Sequence, residues 1–182
     1  MIHLLFEAGF FLLKSLAEFL SILLLMRFFM QLFRASFSNQ IGAFVVQLTN
    51  WLVLPLRRIL PGVLGLDLSS LLPAYLLQVI VVFAALSLRP IPEILQPGSL
   101  AFLVLFGGLQ GLLRTSIYLL IGLLILQAVL SWVNPASPIG RPIGQITDVF
   151  LRPIRRVVPP IANIDLSPLV AILLAQVVLI FV

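Results

Sequence analysis

The 182-residue chain has no cysteine, which excludes disulfides, thiolate metal sites and thiol nucleophiles. Histidine is nearly absent too. His3 is the only one, and a lone histidine near a terminus reads as a polar interfacial residue rather than a metal or haem ligand. Charged residues make up only 9% of the chain, against 62% hydrophobic, and the mean hydropathy is +1.23. So few polar residues cannot cover the surface of a water-soluble fold, which leaves lipid as the solvent. Also missing are a Gly-rich phosphate loop, a carboxylate–histidine cluster and any nucleophile–base pair at workable spacing. No catalytic residue, cofactor or metal is therefore assigned, and an enzyme is the least supported class. The net charge of +5 sits in short flanks between apolar runs. That placement suits membrane orientation and anionic lipid, not nucleic acid.

Four long apolar segments are present, at about 4–33, 66–88, 99–133 and 164–182. Since about 20 apolar residues cross a bilayer core, they predict four spans, the first and third long enough to tilt, kink or project. A break around Gly107, Gly108 and Gly111 would make five. Glu7 and Lys14 interrupt the first segment and no small-residue cleavage site follows it, so it does not read as a cleavable signal. Between the first two spans, Ile41, Phe44, Val45, Leu48, Trp51 and Leu52 recur at helical spacing. This pattern predicts an amphipathic helix in the interface. Residues 139–158 repeat it in a more polar, proline-broken form.

The chain is duplicated. Pro55-Leu56-Arg57-Arg58-Ile59-Leu60-Pro61 returns 98 positions later as Pro153-Ile154-Arg155-Arg156-Val157-Val158-Pro159. The same spacing aligns Asp67-Leu68-Ser69 with Asp165-Leu166-Ser167, and Gln78 with Gln176. Pro, Arg, Asp and Gln do not match in register by chance. The expected organisation is a first unit over 1–88, a Pro/Gly linker over 89–98, and a second unit over 99–182. The fold class is thus an all-α membrane protein of about four transmembrane helices, as two parallel tandem repeats each with an interfacial amphipathic segment. A pseudo-two-fold axis along the membrane normal is expected. Arg34, Arg57, Arg58, Arg141, Arg152, Arg155 and Arg156 fall in the two inner connections, which puts these basic turns in the cytoplasm and both termini outside.

Pro-x-Arg-Arg-x-x-Pro followed by Asp-Leu-Ser before an apolar helix, present twice, resembles the YggT family of small membrane proteins and is similar to the YlmG proteins. The resemblance implies a bacterial cytoplasmic membrane protein with no catalytic residue. It further implies links to osmotic or salt tolerance, to cell division and nucleoid organisation, or, in plastid relatives, to assembly of a cytochrome complex. The family's motif commonly opens with Arg-Pro. Arg152-Pro153 keeps this, whereas the first copy has Leu54-Pro55, and Pro160 replaces a small residue. On this comparison the second motif is the fuller copy.

The candidate site residues fall into three groups. Arg57, Arg58, Arg152, Arg155 and Arg156 either anchor topology on lipid phosphates or dock a partner. Flanking prolines Pro55 and Pro153 suggest rigid turns, while Asp67, Asp165, Ser69 and Ser167 suggest structural support, with Ser167 before Pro168 reading as an N-cap. In the first span Glu7, Lys14 and Glu18 share one helical face with His3 and Ser21, and Arg114 of the third span is expected to complete their cluster. Lys14 and Glu18 are four apart and can neutralise each other.

Two functions compete. One is a non-catalytic organising, assembly or stress-tolerance factor that engages anionic lipid or another membrane or membrane-associated protein through its arginines. The other is a small ion transporter or channel-like protein. Four spans leave little room for a pore in one chain, so that reading calls for a homo-oligomer.

Overall fold

Long apolar runs become long helices here, and prolines set where several of them start or stop. The computed structural model describes residues 2–60, 65–88, 97–134, 137–158 and 165–182; the side chains of residues 2, 3, 97 and 132 lie outside the description, and with them that of His3. The described residues form six helices and no strand. In order they are α1 (Ile2–Leu32), α2 (Gln40–Ile59), α3 (Leu68–Ser87), α4 (Pro97–Val133), α5 (Gly140–Arg155) and α6 (Ser167–Phe181).

Three of these helices are long and apolar enough to cross a membrane, over Leu4–Leu32, Leu68–Ser87 and Gly98–Ser131. At 1.5 Å per residue, α4 runs about 55 Å, well beyond a hydrocarbon core of about 30 Å. The fourth apolar helix, α6, has 15 residues and reaches about 22 Å. It falls short of the full crossing expected for 164–182. Of the expected linker, residues 89–96 lie outside the described residues, while Pro97 and Gly98 already open α4.

The five-span alternative fails at α4, which runs unbroken through Gly107, Gly108 and Gly111. These glycines are notches for a neighbouring helix. A Cβ on Gly108 would lie 2.5 Å from Val79 Cγ2 and 3.1 Å from Val79 Cα, and one on Gly111 would lie 2.8 Å from Gln78 Oε1. Removing side chains at this crossing lets the α3 and α4 backbones approach closely, as small residues do at membrane helix contacts. The order of contacts, Val82 on Gly107 and Gln78 on Gly111, makes the pair antiparallel.

Of the amphipathic helices, α2 runs further than the pattern suggested, whereas α5 is shorter than the expected 139–158. In α2 the buried positions Gly42, Val45, Thr49 and Val53 form one stripe at helical spacing. Trp51 stays exposed and donates its indole N–H to the Leu48 carbonyl at 2.9 Å. Asn39 caps this helix, its Oδ1 accepting the Gly42 N–H at 2.9 Å. Pro55 and Pro153 lie inside α2 and α5. The arginine motifs therefore finish helices instead of forming rigid turns. Each proline removes the N–H that would bond the carbonyl four residues earlier, that of Trp51 or Val149, and at most one further helical turn follows it. Leu60 then adopts extended backbone (φ −111°, ψ 94°), as a residue before proline prefers.

Within each unit the contacts correspond: α1 meets α2 and α3, α4 meets α5 and α6, and each amphipathic helix meets the apolar helix after it. Between units they do not. α3 packs on α4, but among the described residues no contact joins α6 to α1. Gln78 of α3 is buried, its Nε2 donating to Ser21 Oγ of α1 at 3.2 Å, whereas Gln176 of α6 is exposed. The units thus meet head to tail, and the expected two-fold is not closed. The shared core comprises Leu23, Met26 and Met30 of α1, Val45 of α2, Leu123 of α4, and Ile143 and Ile146 of α5.

The glycine notches make a sharp prediction. Gly108→Ala should destabilise the protein by about 1–3 kcal/mol through overpacking, read as a lower melting temperature in detergent. Gly122→Ala, where nothing lies within 4 Å, should be neutral or stabilising by up to about 1 kcal/mol. Equal effects at the two sites would contradict the notch.

Candidate functional site

The end of each amphipathic helix meets the start of the next apolar helix at an arginine–aspartate junction. In the first unit, Arg57 near the end of α2 donates from Nη2 to Asp67 Oδ2 at 2.7 Å and to Gln31 Oε1 of α1 at 2.8 Å. One guanidinium therefore links three helices. Asp67 is only 4% exposed, and its Oδ2 also accepts from Ser70 Oγ at 2.8 Å. Its backbone carbonyl accepts the N–H groups of Ser70 and Leu71 at 3.0 and 3.1 Å, starting α3. Ser69 Oγ donates to the Leu60 carbonyl at 3.2 Å, fastening the end of α2 to the start of α3. A carboxylate this buried needs such charge-assisted bonds, because an unpaired one would carry a large desolvation penalty.

The second junction is more open. Arg155 donates from Nε to Asp165 Oδ2 and from Nη1 to Asp148 Oδ1, both at 2.9 Å, and the Asp165 side chain is 30% exposed. It has no link to α4, where Val129 stands in the place of Gln31. Asp165 Oδ1 accepts the Ser167 backbone N–H at 2.9 Å. Ser167 is the first residue of α6 and not its N-cap; Leu166 occupies that position without a side-chain cap bond, and the capping contact comes from Asp165. Although the second motif is closer to the common family form, the first junction is the more completely engaged.

Burial alone would raise the Asp165 carboxyl. Hydrogen bonds from Ser167 and from the Arg155 guanidinium outweigh that and hold it below the ordinary carboxylate range. Burial likewise works against the Arg155 charge, but its bonds to Asp165 and Asp148 carry its pKa above the ordinary arginine value.

Only one arginine of each doublet is taken up this way. Arg58 and Arg156 are exposed, as is Arg152, and none has an ion pair among the described residues. In α1, Lys14 and Glu18 pair at 3.7 Å, each about half exposed. Glu7 lies on the same helix and has a contact of its own. Arg114 does not join them. It is exposed on α4, with no ion pair among the described residues, because the units are displaced from the closed symmetry that would have brought it near α1.

Helical spacing sets Arg27 on the α1 face opposite Glu7, Lys14 and Glu18 and assigns it no role. This residue is 4% exposed in α1 and donates from Nη1 to Thr49 Oγ1 at 2.7 Å and to Asn50 Oδ1 at 3.0 Å. The fields of Arg57 and Asp67 both reach it, so it belongs to the first junction. The 98-residue spacing puts Ile125 at its position and Asp148 at that of Asn50. In the second unit Thr147 bonds instead to Gln127 of α4. Between copies a buried positive charge has been removed and a negative charge added, a difference visible once the copies are aligned.

Fold and junctions together define a helical membrane protein made of two head-to-tail copies of one unit, each an apolar helix, an amphipathic helix and a second apolar helix joined by an arginine–aspartate pair. The chain belongs to the CCB3/YggT family, whose model matches residues 6–88 and again 99–182. It is 36% identical to YggT of Escherichia coli (strain K12) over 172 residues, covering 92% of this chain and 85% of that protein. It is 38% identical over 163 residues to a protein named for the proC 3′ region of Vibrio alginolyticus, covering 88% and 85%. Ycf19 of Guillardia theta matches at 35% over 79 residues, 42% of this chain but 82% of that protein, a length close to one unit. No solved structure matches.

The second junction implies a pH dependence. A depressed carboxyl pKa contributes stability that is present above the unfolded value near 3.8 and lost as the pH falls through the lower folded value. The melting temperature in detergent should therefore drop below about pH 4, and Asp165→Asn should flatten that acid limb. Coinciding acid limbs for the two proteins would contradict the assignment.

Proposed function

We propose that this is a non-catalytic organising or assembly factor of the bacterial cytoplasmic membrane, which presents the arginine-rich ends of α2 and α5 on the cytoplasmic side. The observation that carries this reading is the division of labour inside each doublet. Arg57 and Arg155 are held by Asp67 and Asp165, while Arg58 and Arg156 are exposed with no ion pair among the described residues, joined in the second unit by Arg152. A topology anchor needs only charge near the membrane. A cation held beside a fixed ion pair, twice in one chain, is a preset surface for anionic lipid or an acidic partner, and guanidinium forks suit both. Arginines concentrated in the two inner connections support the cytoplasmic placement, with both termini outside. Osmotic or salt tolerance and cell division are the processes in which such a factor would act.

The conduit reading has weaker support. Lys14 and Glu18 neutralise each other at 3.7 Å, and Arg114 stands apart from them, so the α1 charges form no continuous polar path with α4.

The test is crosslinking and co-purification from native membranes at equal expression. Arg58→Gln/Arg152→Gln/Arg156→Gln should lose a stoichiometric acidic partner, or tightly retained anionic lipid, with an unchanged melting temperature. Arg57→Gln/Arg155→Gln should instead melt lower, by about 2 kcal/mol for the half-buried Arg57 pair. Unchanged partner and lipid retention in the first variant would refute the docking role.

A further inference from the structure

We propose that the second unit carries a binding site for a phosphoryl group, in the cleft between the end of α4 and the polar face of α5. The cleft has a volume of about 560 Å³, and its polar wall includes Gln127, Ser131, Asn134, Ser137, Arg141 and Gln145. Arg141 and Gln145 also line an adjoining cleft of about 520 Å³ that reaches Ser36 and Ser38 of the first unit.

The duplication supplies an internal control. At the 98-residue spacing, the first unit has Phe29, Phe33, Ala43 and Val46 where the second has Gln127, Ser131, Arg141 and Gly144. In the first unit Phe29 and Phe33 stack at 6.0 Å, and Phe33 packs edge-on against Phe150 of α5 at 5.9 Å. That face is lined with aromatic rings and covered by the other unit, leaving an apolar space of only about 180 Å³. In the second unit two phenylalanines have become an amide and a hydroxyl, a valine has become glycine, and a cation has been added. The result is an open polar cleft instead of a packed face. These replacements also count against a second copy of the chain as occupant, since that copy would have to bury polar groups where Phe29 and Phe33 bury apolar ones.

The chemistry of the wall selects an oxyanion. Arg141 has no ion pair among the described residues, and a guanidinium fork beside hydroxyl and amide donors matches phosphoryl oxygens. Asp148 lies on the same wall, but its carboxylate is held by Arg155 at 2.9 Å. The first turn of α5 adds a backbone donor. Asn39 caps α2, whereas Ile139 at the start of α5 gives no side-chain cap. The Gly140 N–H is taken by the Ser137 carbonyl at 3.0 Å and Pro142 has none, so the first-turn donor left for a ligand is the Arg141 N–H. The cleft straddles the end of the apolar stretch Gly98–Ser131, where a span gives way to polar surroundings. A lipid headgroup and a soluble phosphorylated molecule share this chemistry.

The test restores the first unit's residues. Arg141→Ala removes the cation. Gly144→Val fills the cleft, and a Cβ there meets nothing closer than Gln127 Nε2 at 4.0 Å, so the fold should tolerate it. The full chain in detergent is titrated with inorganic phosphate, and separately with phosphatidylglycerol, following melting temperature and lipid retention by native mass spectrometry. At least one probe should stabilise the wild type, with at least tenfold weaker binding in both variants. Stabilisation by phosphate identifies a soluble ligand, and stabilisation by the lipid alone identifies a headgroup. If Gly144→Val melts well below wild type without ligand, Arg141→Ala decides alone. No stabilisation of the wild type, or equal stabilisation of wild type and variants, would overturn the site. Because the free arginines at the helix ends are left intact in both cleft variants, failure here is distinct from failure of the docking role.

Discussion

One guanidinium, that of Arg57, sets the geometry of the first unit. An amphipathic helix that lies along the membrane surface must be tied to apolar helices that cross it. Apolar packing alone is a poor tie, because lipid tails satisfy apolar side chains as well as a neighbouring helix does. Lipid tails cannot compete for a charge-assisted bond. Arg57 reaches Gln31 on α1 and the buried Asp67 at the start of α3, so the angle between three helices rests on bonds that lipid tails cannot replace. The backbone around Asp67 then starts α3, and Ser69 closes the turn onto Leu60.

Duplication allowed the same tie to be kept while its surroundings changed. In the second unit Arg155 still holds Asp165, but the link to the long helix is gone and Asp148 supplies a second carboxylate. The first unit buries a surplus positive charge at Arg27, and the second has a surplus negative charge around Arg155. The long helix of the second unit loses its aromatic face and gains a polar one. Such divergence is expected of units that meet head to tail, because equivalent helices then have different neighbours: α3 packs on α4, whereas among the described residues α6 has no contact with α1. The terminal unit of a short array carries a polar outer face for the same reason.

Much of this architecture is legible in the residues. Apolar runs reveal the long helices, and the repeated Pro, Arg and Asp show the duplication. Helical spacing over Ile41–Leu52 reveals α2, although its buried stripe is Gly42, Val45, Thr49 and Val53 while Phe44 and Trp51 of the expected apolar face are exposed. What escaped the pattern depends on contacts between distant segments. Gly107, Gly108 and Gly111 resemble a helix break until Val79 and Val82 are seen packed against them. Arg34 gives no hint that it ends α1 with φ 54°, in a motif where the Ala35 N–H reaches the Met30 carbonyl at 2.7 Å. Arg27 reads as one more polar residue on a long helix, since the Thr49 and Asn50 that hold it lie more than twenty positions away. Arg114 was drawn toward Glu18 by assuming a closed symmetry that the α3–α4 packing does not have.

The account stands or falls on whether the arginine–aspartate pair couples the amphipathic helix to the apolar helix after it. A double-mutant cycle with Arg57→Gln, Asp67→Asn and their combination, read by unfolding in detergent at neutral pH, measures that coupling directly. The pair is half buried and shares further hydrogen bonds, so the coupling energy should exceed the 1 kcal/mol or so typical of exposed ion pairs. A cycle that closes to within about 0.3 kcal/mol would mean that apolar packing, and not the ion pair, sets the geometry of the unit.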